Sequence, residues 1–145
     1  MLGRFHVIAH QIRHRREKRP TLEIQDEYDV QDLLHALLKM FFNDIRPEEW
    51  TPSYAGGAAR VDFYLKTEGI LVEVKKTRTT LSAKEVGDQL IVDIERYKNV
   101  PGCQHLVCFV YDPEHHLTNP AGLQSDLSGK KNHLLVEVFV EPRFH

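Results

Sequence analysis

Apolar residues along the chain fall first into helix-spaced runs. In "DVQDLLHALLKMFF", Val30, Leu33, Leu34, Leu37, Leu38 and Phe41 recur three and four apart, the spacing of one buried helical face. Asp29 stands where an N-cap would stand, Asp32 three positions on resembles a capping box, and Pro47 lies past the end. Residues 1–19 predict an earlier helix with Phe5, Ile8, Ala9 and Ile12 as its stripe, stopped by Pro20. A third helix is predicted from a Ser82 cap to about Lys98, with Val86, Leu90, Ile91, Ile94 and Tyr97 inward and Pro101–Gly102 as the break. A short fourth helix follows Asn119 in "NPAGLQSDL".

Between these helices the period changes to two. Strands are predicted near Arg60–Lys66 and Ile70–Lys76, with Glu68–Gly69 as the turn. "TPSYAGGAAR" before them reads as a turn or short strand, loosened by Gly56 and Gly57. "HLVCFVYD" does not alternate, which predicts a central strand covered on both faces; "HLLVEVFVEP" is a last strand ahead of Pro142. The order helix, strand, strand, helix, strand, short helix, strand implies an α/β sandwich. Its sheet is mixed, because a helix between two strands makes a parallel crossover.

The hairpin carries charge where a core strand favours Val or Ile. Val61, Phe63 and Leu65 are expected on one face and Asp62 and Tyr64 on the other; Ile70, Val72 and Val74 oppose Leu71, Glu73 and Lys75. With a two-residue turn, Tyr64 lies opposite Glu73 and Asp62 opposite Lys75, so the three charges point the same way. Converging carboxylates repel unless a cation joins them. An all-oxygen pair suits Mg²⁺ or Mn²⁺, which keeps waters and accepts phosphate oxygens. A neighbouring lysine can then act on an attacking water and on charge developing at phosphorus. An exposed hairpin face with an Asp62–Lys75 cross-strand pair explains the same spacing.

Composition narrows the setting. The chain of 145 residues suits one domain, and 41% hydrophobic with 28% charged residues is a globular balance. No apolar run approaches the length of a membrane span, and the basic, His-rich start lacks the apolar stretch of a signal peptide. Cys103 and Cys108 make neither a metal spacing nor a disulfide framework, which points to a reducing, cytoplasmic setting. The net charge of −2 neither requires nor excludes nucleic acid. Charge is uneven, however: Arg13, Arg15, Arg16 and Lys18 form a basic helix or arm that can meet phosphate or simply be a solvated face.

"VDF" at 61–63 and "EVK" at 73–75 resemble the motif of the PD-(D/E)XK nuclease superfamily, an acid on one strand and acid–x–Lys on the next. The element order resembles that superfamily's restriction-endonuclease-like core, a central mixed β-sheet flanked by helices. The stretch from Asp29 to about Pro113 further resembles the nuclease domain of DpnII/MboI-like restriction enzymes and bacterial defence proteins. The resemblance implies one nuclease domain over 1–145, with Asp62 and Glu73 on Mg²⁺ or Mn²⁺ and Lys75 as the catalytic lysine. It also matches Gln89 to a glutamine that some members aim at the active site, a residue that otherwise reads as solvent-facing. Val61 stands where the motif has proline, a position without chemical need of it. Many members use an acid on the first helix; Glu27, Asp29 and Asp32 are available and none is singled out.

Arg60, Lys76 and Arg78 flank the motif and can hold phosphates, or are ordinary strand-end charges. His115–His116 in "DPEHHL" has poor spacing for a metal and fits a polar loop. The expected function is metal-dependent hydrolysis of DNA by an endonuclease of bacterial antiviral defence or restriction. The alternatives are a non-catalytic nucleic-acid-binding or assembly module on this fold, and a nuclease acting on RNA or branched DNA. No base-reading motif is visible, so sequence specificity is expected to be weak. Cutting both strands calls for a homodimer, and the chain can also serve a larger defence-system partner.

Overall fold

The computed structural model describes residues 1–51 and 60–143, so most of the segment expected as a turn before the hairpin lies outside the described residues. The strands are β1 (Ile45–Pro47), β2 (Phe63–Leu65), β3 (Ile70–Lys76), β4 (His105–Tyr111), β5 (Gly129–Lys131) and β6 (Leu134–Glu141). The helices are α1 (Phe5–Arg13), α2 (Glu27–Leu38), α3 (Ala83–Tyr97) and α4 (Pro120–Leu127). One sheet runs in the order β1-β2-β3-β4-β6-β5. β1, β2 and β3 are an antiparallel meander; β3, β4 and β6 run parallel, and β5 returns antiparallel on β6. This is the mixed α/β sheet of a restriction-endonuclease-like core.

Two apolar layers sandwich the sheet. Val86, Leu90 and Ile94 of α3 pack on Leu71, Leu106, Cys108 and Val136, with Leu123 and Leu127 of α4 alongside. Phe5 and Ala9 of α1 and Val30, Leu33, Leu34 and Leu38 of α2 pack on Phe63, Val72, Val74 and Phe109. With both faces covered, β4 has no polar side to show, which explains its unbroken apolar run. Cys103 and Cys108 are buried free thiols.

Several expectations shift. α1 ends at Arg13 rather than near Arg19, because no apolar stripe continues past Ile12 and Glu17 and Lys18 take left-handed φ values of 59° and 51°. α2 begins earlier than expected: Asp26 is the N-cap and Asp29 is its reciprocal capping-box partner. The helix then stops at Leu38, leaving Phe41 63% exposed instead of in the core, while Phe42 packs partly against it. On α3 the Ser82 cap forms a capping box with Glu85 as its sequence suggests, yet Ile91 is 52% exposed.

The hairpin register also differs. Tyr64 pairs with Leu71 and Leu65 with Ile70, so the connection has four residues rather than two. Gly69 holds φ 69° there, and a Cβ on it would sit 2.8 Å from the Gly102 carbonyl oxygen. A slip of two residues preserves faces, since strand side chains repeat every two. Val61 does change sides. It precedes the regular strand and joins the α3 layer, whereas Phe63 and Leu65 face α1 and α2. Three-residue β1 and β5 were not expected; strands that short carry little periodicity, and Pro47 is tolerated because β1 is an edge.

Candidate active site

The meander and β3 bring the charged hairpin residues to one place. β3 alternates, so Leu71, Glu73 and Lys75 share the face toward α3. Asp62 precedes β2, and its side chain substitutes for a ladder partner: Oδ2 accepts from the Val74 amide at 2.7 Å. Its Oδ1 accepts from Gln31 Nε2 of α2 at 3.0 Å. Glu73 is buried, and the Tyr97 hydroxyl of α3 donates to its Oε1.

Electrostatics couples the two carboxyls. Burial, then repulsion from Asp62, pushes Glu73 up to about 9, against the pull of the Tyr97 hydrogen bond. Burial also raises Asp62, opposed by the Val74 amide and by a hydrogen bond with Glu73. Neither can ionise freely beside the other, so the pair retains a proton near neutral pH.

Lys75 does not pair with Asp62. Its Nζ lies 3.2 Å from Asp93 Oδ2 of α3, and both side chains are largely buried. Burial disfavours the ammonium, but Asp93, Glu73 and Glu27 together carry its pKa above the ordinary value. Asp93 Oδ1 is 3.8 Å from Arg96 Nη1 as well. The cross-strand pair expected on an exposed hairpin is therefore replaced by a buried pair with a helix.

Glu27, at the first position of α2, also faces this region. Its Oε2 accepts from the Lys76 amide at 3.3 Å; burial raises its pKa, while Lys75 lowers it. Capping occupies Asp29, whereas Asp32 has no part in the cap. Glu27, Lys76, Thr77, Arg78, Leu81 and Gln89 line a cleft of ≈ 380 Å³. Gln89 thus reaches the cleft from the exposed side of α3, away from the contacts of the Asp62–Glu73 pair. Lys76 is buried with Nζ donating to the Thr77 carbonyl oxygen at 3.2 Å, and Arg78 is exposed at the rim. Arg60 points elsewhere: it pairs with Glu48 and stands 5.9 Å over the Trp50 ring. His116 belongs to a turn held by Asp112 and lies against Glu114.

Gln31, Asp93 and Tyr97 escaped the sequence reading as site residues. One signal was present: Gln89, Asp93 and Tyr97 recur every four residues, a polar line beside the apolar face of α3. Among the described residues, no group of three or more His, Cys, Asp or Glu is close enough to form a metal cage. Two carboxyls are nonetheless a fitting donor set for a hard cation completed by water and phosphate oxygens.

A mixed sheet between helices, with charged side chains gathered where the meander meets a parallel crossover, defines the restriction-endonuclease-like class. Within it, the chain belongs to the DpnII-MboI restriction endonuclease family, whose model (REase_DpnII-MboI) matches residues 1–143. Membership makes it a hydrolase, a DNA endonuclease of restriction. No curated protein matches the chain. Among the described residues, no helix is long and apolar enough to cross a membrane.

Proposed function

We propose that the chain cuts DNA by metal-dependent phosphodiester hydrolysis, with Asp62, Glu73 and Lys75 as its PD-(D/E)XK set. The carrying observation is that two carboxyls, Glu73 buried and Asp62 half-buried, both with raised pKa, meet beside a lysine held in its charged form. Such a pair favours a divalent cation, because the cation takes the place of the retained proton. Asp62 and Glu73 would hold Mg²⁺ or Mn²⁺, which when bound acidifies water and neutralises phosphate charge.

The chain's own groups do the rest. Val74, Gln31 and Tyr97 fix the two carboxyls through hydrogen bonds. Asp93 keeps Lys75 charged and aimed at the site, where its ammonium can stabilise negative charge on the transferring phosphate. Glu27 is a third carboxylate within electrostatic reach of Lys75 and Asp62. Lys76, Arg78 and Gln89 line the cleft through which the strand would pass, while Arg60 serves DNA only by leaving Glu48. One such centre cuts one strand, so a double-strand break needs a second copy.

The test incubates plasmid, linear DNA and RNA with the protein in Mg²⁺, Mn²⁺ or EDTA. DNA cleavage is expected with either metal and none with EDTA. Asp62→Asn and Glu73→Gln should lose metal binding and cleavage together. Lys75→Ala should lower cleavage by at least about 100-fold while calorimetric metal binding persists. Cleavage that survives EDTA, or that Lys75→Ala leaves intact, would overturn the assignment; preferential cutting of RNA would favour the second substrate class. A protein that binds DNA but never cuts it would be the non-catalytic module.

A further inference from the structure

Between α1 and α2 the chain folds back on itself beside an open basin of ≈ 490 Å³, lined by Arg13, His14, Arg15, Lys18, Arg19 and Glu23 among others. The fold-back is built: Glu17 and Lys18 take left-handed φ values, and Arg15 Nη1 donates to the Pro20 carbonyl oxygen at 2.6 Å. Residues 13–23 hold five cations, Arg16 included, against Glu17 and Glu23. Arg13 reaches Glu23 only at 3.9 Å and Arg19 reaches Glu17 at 3.5 Å, all four side chains being more than half exposed. Ion pairs of that kind are weak and give way to a better anion. The sequence allowed a solvated helix face here; the side chains are solvent-exposed, but those past Arg13 lie beyond the end of α1 and border a hollow.

We propose that this basin is a second DNA-backbone site, which grips phosphates away from the position of cleavage. The inference rests on the nuclease reading of the cleft and adds the path of the substrate. Glu23 lines the basin and Gln25 lines the cleft, so the two rims are two residues apart. Two extended residues span at most about 7 Å. At 3.4 Å of rise per nucleotide, that is about two base pairs of duplex. The occupant is then the backbone of the same DNA, continuing from the cleft, rather than an unrelated anion.

The experiment measures binding of a duplex of about two helical turns by fluorescence anisotropy in EDTA, across a salt series. The probe protein carries Arg13→Gln, Lys18→Gln and Arg19→Gln, leaving Arg15 to hold the loop. Each phosphate contact contributes about 0.9 to the slope of log K against log salt, so the slope should flatten by up to about 2.7. Equivalently, wild type should lose up to about 40-fold more affinity than the variant between about 50 and 200 mM salt. Cleavage at saturating DNA with Mg²⁺ should be unchanged, which separates grip from chemistry.

An unchanged slope overturns the site. So does an equal flattening from Lys66→Gln with Lys130→Gln, since that would reflect overall charge. Stabilisation of wild type by inorganic phosphate, with no change in the DNA slope, would also overturn it and mark a free-anion site. Because binding is read without metal, failure of the cleavage hypothesis leaves this result standing or falling by itself.

Discussion

Glu73 makes the metal-free protein's stability depend on pH in an unusual direction. Its carboxyl has an ordinary value of 4.5 unfolded and is raised to about 9 when folded. Between those values the folded state holds a proton that the unfolded state has released. A raised folded pKa contributes stability that is fully present below the unfolded value and lost as pH rises through the folded one. Each pH unit inside that window costs up to about 1.4 kcal/mol, so going from pH 6 to 8 costs up to about 3 kcal/mol. Asp62 and Glu27 are raised as well and add loss of the same sign just above their unfolded values. Most surface carboxylates act oppositely, which makes the sign diagnostic. Glu73→Gln removes the titration while keeping an oxygen for the Tyr97 hydroxyl. The variant should match wild type near pH 5 and exceed it by up to about 4 kcal/mol at pH 8. Urea unfolding in EDTA across that range reads both, and Mg²⁺ should flatten the wild-type slope by replacing the proton. Identical slopes in wild type and Glu73→Gln, or wild-type stability that rises toward pH 8, would refute the coupled-carboxyl picture on which the proposed metal site depends.

Asp93→Ala should cost about 3–5 kcal/mol, because it strands a buried ammonium at Lys75. Asp93→Leu with Lys75→Met should recover most of that loss in urea unfolding without recovering cleavage; a loss below about 1 kcal/mol would show the pair to be solvated. Gly69→Ala should destabilise by at least about 1 kcal/mol, since it forces a side chain to a positive φ against the Gly102 carbonyl. An unchanged unfolding midpoint would mean that the hairpin connection relaxes easily.

How much was legible depended on the range of the physics involved. Periodicity and cap chemistry determined the order of the four helices and of β2, β3, β4 and β6, the covered central strand and the Ser82 cap, because these act over a few residues, whereas the three-residue β1 and β5 carry too little of either. Periodicity also placed Glu73 and Lys75 on one face despite a register wrong by two, since a shift of two cannot turn a strand over. Where local cues are weak, neighbouring residues compete: the basic run after Arg13 does not continue α1, and Asp26 rather than Asp29 caps α2 although both carry the same cap-forming carboxylate. The tertiary structure alone decided what stands opposite each charge. Lys75 meets Asp93, eighteen residues on, rather than Asp62, and Glu27 comes from another helix to the amide of Lys76. Spacing along a chain tells which way a side chain points, whereas its partners, its burial and hence its proton affinity are set by segments that only folding brings near.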